Sequence, residues 1–508
     1  MDLTNRFRIW IVNEFGTQNL HCLIYASHKY EINLIEELVD TVYKNIAPKR
    51  LHSGQNLIGL GPRLDEVKSL LDMKPNDKTI RMLGIYGLGG IGKTELAKAL
   101  YDEIAQDFDS ACFLADVSDK SKKTNGLEDL QKTLLSKMSG KLETRLSSTS
   151  KGMGEIKRKL CQKKVLLVLD DVDDKDSLEK LAGGCDWFGI GSRIIITTSD
   201  KGVLIAHKVE KFYEMKELDQ QLSLELFCWN VFKQSHPKIG FDDVSLRAAG
   251  FAKGLPSAIK EIASDLANLP EESVDDWECA LEEYERNPLN KKILDLLKIN
   301  YDRLGYNAKQ VFLDIACFFN GESIEYVKKI HEEFGASHID VLVNKSLLSI
   351  ENGCLKMRDL IQNMGREIVR QETSKLGERS RLWEYEDVIQ VLTEDYGSDN
   401  IQGIKLDPPE QVKVTWSGTA IEKMKWLRIL IIRNTLFSCE PKHLPNHLRV
   451  LEWEEYPSKS LPSKFHPKNI IIFNLPRVHL TLEAPFERWG VRRVFPDIHP
   501  LYWPYLEF

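Results

Sequence analysis

Gly87-Leu-Gly-Gly-Ile-Gly-Lys93-Thr94 follows a short apolar run, Thr79 to Tyr86, and precedes Lys93 to Ala105, where Leu96, Ala97, Leu100 and Ile104 recur on one helical face. The first run predicts a buried strand and the second a helix, so the glycine-rich stretch is the turn between them. In that setting it fits G-x-x-x-x-G-K-[ST], a phosphate-cradling loop. Gly87, Gly89, Gly90 and Gly92, with Ile91 among them, let backbone N–H groups turn inward around phosphate oxygens. The helix N-terminus adds partial positive charge. Lys93 supplies a point charge for the terminal phosphates, and the Thr94 hydroxyl is a ligand for Mg²⁺.

The same residues admit a rival reading. Gly87, Gly89 and Gly92 also satisfy G-x-G-x-x-G, and Asp116 ends the next apolar run, where a dinucleotide-binding fold places its ribose carboxylate. Two features favour the mononucleotide reading: Lys93-Thr94 follows the last glycine directly, and a second signature lies downstream. Lys164-Val-Leu-Leu-Val-Leu-Asp170-Asp171 is a continuous apolar strand ending in two carboxylates. Asp170 would hold Mg²⁺ through water, and Asp171 would orient an attacking water as the catalytic carboxylate. Gly191 to Thr198 predicts another buried strand whose polar end reaches the same sheet edge. Strands alternating with helical stretches predict a parallel sheet with its ligand at the strand C-termini.

The 508 residues predict several domains, and 42% apolar with 29% charged residues are ordinary for folded protein. A net charge of −7 argues against a nucleic-acid binder. The nine cysteines are scattered and never spaced C-x-x-C, which predicts reduced thiols in an intracellular compartment. No signal peptide and no run of 18 apolar residues is present, so no membrane span is expected. Val311 to Phe319 reads as a buried helix. Ile339 to Ser346, then Leu347 to Ile350 and Cys354 to Met357 around Asn352-Gly353, then Asp359 to Arg370, read as helix, hairpin, helix.

The ordered series Gly84 to Thr94, Phe113 to Val117, Lys164 to Asp173, Gly183 to Phe188, Gly254-Leu-Pro256, Phe312 to Phe319, Gly365 to Val369 and Ser380-Arg-Leu-Trp383 resembles the plant nucleotide-binding, leucine-rich-repeat disease-resistance receptors of the Toll/interleukin-receptor-type branch, from about Ile58 to about Pro476. That family's ATPase module, NB-ARC, holds ADP when off and ATP when on. The resemblance implies a multidomain α/β and α fold: a remnant of the Toll/interleukin-receptor domain and linker helix over 1–50, a P-loop nucleotide-binding domain with a parallel sheet over 51–205, a helical ARC1 domain over 206–300 and a winged helix over 301–390. A leucine-rich-repeat-like start over 391–475 and a divergent tail over 476–508 follow. It also implies that Arg63 lies near the nucleotide, that Pro256 packs by the adenine, and that Met357-Arg358-Asp359 touches the β-phosphate.

The chain departs from the pattern at four sites. Glu95 stands where a threonine is usual, and like charges about 5 Å apart at an effective dielectric of about 20 repel by roughly 3 kcal/mol, so weakened nucleotide affinity is expected. Ser199 replaces the arginine that senses the γ-phosphate. Ser257 replaces a leucine at a packing position. Arg358 replaces a histidine, and a loosened off-state is expected from it.

At the ends, Tyr30 to Ile46 has helical spacing resembling the last helix of the Toll/interleukin-receptor domain, whose catalytic part would lie upstream, so no NAD⁺ cleavage is expected. Leu427 to Ile432, Leu448 to Trp453 and Asn469 to Phe473 recur every 21 residues, a period that suits leucine-rich repeats. These readings together predict an ADP/ATP-dependent signalling switch of plant innate immunity in the cytoplasm or nucleus, partnered by other receptor chains or by itself. Two alternatives stand beside it: an ATPase driving a mechanical step, with Lys93, Thr94, Asp170 and Asp171 allowing at least slow hydrolysis, and a non-switching regulatory partner or decoy of complete receptors.

Overall fold

The computed structural model describes residues 51, 58–73, 77–139, 148–269, 273–286, 291–332 and 337–477; the expected helix at 30–46 and the tail from 478 onward lie outside them. Helix α1 (Leu60–Leu71) buries Leu60, Leu64, Val67 and Leu71, one residue per turn of its apolar stripe. Strand β1 (Arg81–Tyr86) runs into the glycine loop and then into α2 (Lys93–Ile104). With β2 (Ser110–Leu114), β3 (Val165–Leu169), β4 (Arg193–Thr198) and β5 (Lys211–Glu214) it forms a parallel sheet in the order β2-β3-β4-β1-β5. Every residue of β3 and β4 is buried, and β3 accordingly reads as an unbroken apolar run, while β4 carries its apolar residues at Ile194–Ile196.

That order decides between the two readings of the glycines. A dinucleotide fold sets its first two strands side by side. Here β3 and β4 separate β2 from β1, so Asp116, whose side chain is 64% exposed, ends a strand remote from the loop. The dinucleotide alternative falls on topology.

Helices α8 (Gln220–Val231), α9 (Asp242–Phe251), α10 (Pro256–Ala267) and α11 (Val274–Arg286) gather around Trp277, which is fully buried among Phe227, Phe232 and Phe241. Between the sheet strands lie α3 (Val117–Ser121), α4 (Gly126–Ser139), α5 (Thr149–Leu160), α6 (Lys175–Ala182) and α7 (Lys201–Ala206). After α12 (Lys291–Asp302) comes α13 (Tyr306–Asp314), then α14 (Ile324–Ile330) and α15 (Ser337–Asn344). Hairpin β6 (Ser349–Glu351) and β7 (Cys354–Lys356) leads into α16 (Asp359–Arg370). Asn352 and Gly353 both take positive φ, as a tight two-residue hairpin turn demands. The helix-hairpin-helix reading therefore matches, with the cap of α16 at Arg358. The buried helix expected over Val311–Phe319 is present, but its type changes along it: α13 ends at Asp314, and Ile315–Phe319 is a π-helical turn. Gly365 of α16 packs on that turn; a Cβ there would come within 2.6 Å of the Ala316 Cβ.

Past α16, β8 (Arg381–Leu382), β9 (Gly403–Leu406), β11 (Ile429–Ile432), β13 (Val450–Trp453) and β14 (Ile472–Asn474) stack as a second parallel sheet, with α17 (Tyr385–Glu394) against its first strands and the pair β10 (Val412–Val414) and β12 (Thr435–Phe437) beside it. Ile404, Leu430, Leu451 and Phe473 sit in one register line. The 21-residue period locates three of these strands. It misses β9, because the interval from Gly403 to Ile429 is longer.

A buried ionic cluster fastens this stack to the helices before it. Asp314, 1% exposed, accepts from Arg381 Nε at 2.6 Å and from Arg428 Nη2 at 3.4 Å, and His331 Nε2 lies 3.6 Å away. Burial alone would raise the Asp314 pKa; the charges of Arg381 and Arg428 overcome it and hold the carboxyl below its ordinary value. Arg449 Nε donates to Ile330 O at 3.1 Å in the same region. The eight cysteines among the described residues are all free thiols. Among those residues no helix is long and apolar enough to cross a membrane.

Candidate functional site

The glycine loop sits at the C-terminal edge of the first sheet. Gly87, Gly90 and Gly92 hold φ of 150°, 76° and 101°, the left-handed region in which a side chain is strained, so the loop can curl with its amides inward only because these positions are glycine. The Lys93 ammonium lies inside that curl, 8% exposed, donating to Gly87 O and Leu88 O at 3.0 Å each. Burial pulls its pKa down from 10.5 to about 8, against the opposing pull of Asp171 and Asp170. A buried cation whose bonds among the described residues are to carbonyls of a curled loop is a site made for an anion.

The acidic side of the site is as tightly built. The Thr94 hydroxyl donates to Asp170 Oδ1 at 2.9 Å, and the Thr197 hydroxyl at the end of β4 donates to the same oxygen at 2.6 Å. Burial raises the Asp170 pKa, while the two threonines act to lower it. Asp171, at φ 55°, is pinned through its backbone: its N donates to Thr197 Oγ1 at 2.9 Å and its O accepts from Ser118 N at 2.8 Å. Burial raises the Asp171 pKa too, with Lys93 and Arg303 opposing. Among the described residues no group of three or more His, Cys, Asp or Glu could hold a metal. One hydroxyl and one carboxylate side by side fit Mg²⁺, which takes one or two protein oxygens and completes its shell with phosphate and water.

Two later parts of the chain roof the loop. Ser257 N, one residue past Pro256 at the start of α10, donates to Gly90 O at 3.2 Å. A Cβ at Gly90 would lie 2.1 Å from Ser257 Oγ and 2.9 Å from the Leu296 side chain of α12. Ser257, where the resemblance implies a leucine, presents a buried hydroxyl with no hydrogen-bond partner among the described residues. The third wall is the strap Glu214–Leu218 leaving β5. Met215 N donates to Tyr86 O at 2.8 Å, its carbonyl would meet a Cβ on Gly87 at 3.0 Å, and Leu218 N donates to Gly254 O at 2.9 Å.

The structure brings Gly87, Gly89, Gly90, Ile91, Gly92, Lys93, Thr94, Asp170 and Asp171 together, with Pro256 beside them. It handles the other three expected residues differently. Arg63 Nη2 donates to Lys216 O and Glu217 O at 2.9 and 3.0 Å. Arg358, expected at the β-phosphate and expected to loosen closure, is held by carboxylates instead: its Nε lies 2.6 Å from Glu217 and its Nη2 3.8 Å from Glu214. Both arginines meet on the strap. Glu95 is partly neutralised by Lys98 at 3.0 Å, one helical turn on, which softens the repulsion expected from it. The strap and Arg303 escaped sequence reading. The strap carries no motif, and Arg303 is a single charge in a turn.

A parallel sheet of this order, a glycine loop with a buried lysine, and a threonine–aspartate pair across the loop define a P-loop nucleotide-binding fold. Comparison with known proteins narrows it. Residues 62–237 match the NB-ARC domain, and residues 305–373 match the winged-helix domain of the disease resistance protein Roq1-like family. The chain therefore carries an NB-ARC domain followed by a Roq1-like winged helix, and its relatives are plant disease-resistance proteins. It is 35% identical to disease resistance protein RUN1 of Vitis rotundifolia over 483 residues, 88% of this chain and 36% of that protein. It is 36% identical to TMV resistance protein N of Nicotiana glutinosa over 461 residues, 88% of this chain and 39% of that one. The chain thus spans little more than a third of the length of these curated relatives. Among solved structures, the Walker-type ATPase paby2304 of Pyrococcus abyssi is similar with a TM-score of 0.41 at 13% identity, over 62% of this chain and 97% of its own; the strand order, not that overlap, defines the fold.

Proposed function

We propose that this chain is a nucleotide-operated switch in plant defence signalling, with ADP favouring the closed arrangement and ATP an open one able to associate with itself or with other receptor chains. The observation that carries the reading is the roof. The loop that would take the phosphates is covered by Ser257 and Leu296 from the helical segments, and walled by a strap that Arg63 and Arg358, far apart in sequence, both grip. Ligand in such a site contacts every part whose docking differs between two states, and differential affinity is what shifts a population. In this reading Gly87–Thr94 bind the phosphates, Pro256 packs by the adenine, and Thr94 with Asp170 hold Mg²⁺. Asp171 orients a water for slow hydrolysis that resets the switch. The parallel strands from Gly403 to Asn474 begin a leucine-rich-repeat array, and the protein works inside the cell.

The test is the nucleotide released when freshly purified protein is denatured, compared with Lys93→Ala, together with protease sensitivity in ADP and in ATP. Near-stoichiometric ADP, absent from the variant, and different digestion patterns are expected. Nucleotide-free protein, or identical digestion and hydrodynamic size in both nucleotides, overturns the switch.

A further inference from the structure

The end of α12 presses two polar side chains, one helical turn apart, against the ends of the sheet strands. Asn300 accepts from the Ser199 hydroxyl just past β4 at 3.0 Å, and its amide donates to Lys345 O at 3.3 Å. Three residues on, Arg303 reaches the acidic loop after β3: its Nη2 donates to Ser118 Oγ at 3.3 Å and lies 3.4 Å from Asp173 Oδ2. Both distances are at the long end of hydrogen bonding, and the Asp173 Oδ1 has no hydrogen-bond partner, so the bidentate capacity of the guanidinium is unused. Asp173 is also paired with Lys122 and keeps that partner if Arg303 leaves. Ser118, which takes the Arg303 contact, also donates its N–H to Asp171 O at 2.8 Å, and both Lys93 and Arg303 act on the Asp171 carboxylate. In a P-loop the lysine reaches the β- and γ-phosphates, so the third phosphate of a triphosphate would sit beyond Lys93, toward these strand ends. Ser199 brings no positive charge there; Arg303 does.

We propose that Arg303 is a specificity-determining residue of this site, moving from Asp173 and Ser118 to the terminal phosphate of a nucleoside triphosphate and thereby favouring it over the diphosphate. The proposal deepens the nucleotide reading above and rests on it. A terminal phosphate offers a guanidinium several oxygens in bidentate geometry, whereas in the structure Arg303 lies near only one oxygen of Asp173, at 3.4 Å. The diphosphate offers nothing at that distance, so Arg303 stays with Asp173. Because Arg303 follows α12, outside the sheet domain, the extra phosphate is read by the part of the chain that roofs the loop.

Calorimetric titration of the full chain with ADP and with a non-hydrolysable ATP analogue, both with Mg²⁺, tests this. Arg303→Ala is expected to weaken the ATP analogue about tenfold, the scale of one charge-assisted hydrogen-bonded contact, and ADP less than twofold. Arg303→Lys, a milder change, is expected to recover part of the loss. Asp173→Asn, which frees the arginine, is expected to bind the analogue at least as well as wild type. Equal losses for both nucleotides, no loss, or an Asp173→Asn variant that copies Arg303→Ala would make the arginine a structural ion pair and overturn the proposal. Lys93→Ala is the control expected to lose both ligands. A wild-type chain that binds neither nucleotide overturns the nucleotide reading itself, and this proposal with it.

Discussion

Replacing Lys93 by methionine should stabilise the nucleotide-free protein while abolishing its response to nucleotide. The lysine is buried and its pKa falls from 10.5 to about 8, a difference equivalent to about 3 kcal/mol of unfavourable charge burial at neutral pH. Methionine keeps the length and removes the charge, but leaves Gly87 O and Leu88 O without a donor, at about 1 kcal/mol. The net gain is about 1–2 kcal/mol, or about 2–8 °C in the melting temperature at the roughly 2–4 °C per kcal/mol of a domain this size. The sign with pH is fixed by linkage. Below about pH 8 the lysine is charged in both folded and unfolded chains, and the cost is present in full. Between about 8 and 10.5 the folded chain sheds the proton while the unfolded chain keeps it, so wild type gains stability and the gap closes. Thermal melts of both proteins, stripped of nucleotide, at pH 7 and pH 10 measure this. Adding ADP should reverse the order at pH 7, because ligand at a hundred times its Kd contributes about 2.7 kcal/mol to wild type alone. An unliganded methionine variant that melts at or below wild type at pH 7 would refute the reasoning.

Other consequences are open to equally direct measurement. Glu95→Thr should tighten ADP binding by only about twofold to fivefold, since Lys98 already screens the carboxylate; unchanged affinity in a titration would dismiss the repulsion altogether. Asp314→Ala should destabilise the protein by about 3–5 kcal/mol, because Arg381 would be left charged and buried; a melt within a degree of wild type would contradict this. His331 is buried and its pKa lies at about 4, lowered by burial and by neighbouring arginines, with Asp314 opposing. It stays neutral in the fold while the unfolded chain takes up its proton below about 6.5, so stability is lost as pH falls through that window. His331→Phe should therefore show a shallower decline in melting temperature from pH 7 to pH 4.5.

What the sequence discloses is what local pattern encodes. The loop at Gly87–Thr94, the buried strands ending at Asp170 and Thr198 and the hairpin at Asn352-Gly353 depend on residue types at short spacing, and each stands where that spacing puts it. Strand order is not local: only the structure shows β4 slotted between β1 and β3, which removes the dinucleotide alternative that sequence leaves standing. The π turn at Ile315–Phe319 was illegible because its apolar residues fit an α-helix equally well; the close seat of Gly365 against Ala316 shows how tightly that turn packs. Arg358 stands in a stretch that resembles a motif, but its ion-pair partner Glu217, far away in sequence and close in space, is set by tertiary packing that no local pattern encodes. Arg303 shows the converse, a residue without a motif that tertiary packing delivers to the strand ends.

The strap at Glu214–Glu217 has a further consequence. It takes hold from Arg63, early in the chain, and from Arg358, nearly three hundred positions later, while Met215 between those grips lies on the glycine loop. A displacement arriving from either direction reaches the same few peptide units. The loop therefore cannot tell one sender from the other: it registers their combined effect, as a balance beam registers total load. In the opposite sense, whatever fixes the loop fixes both grips together, so two segments far apart in sequence share a single setting.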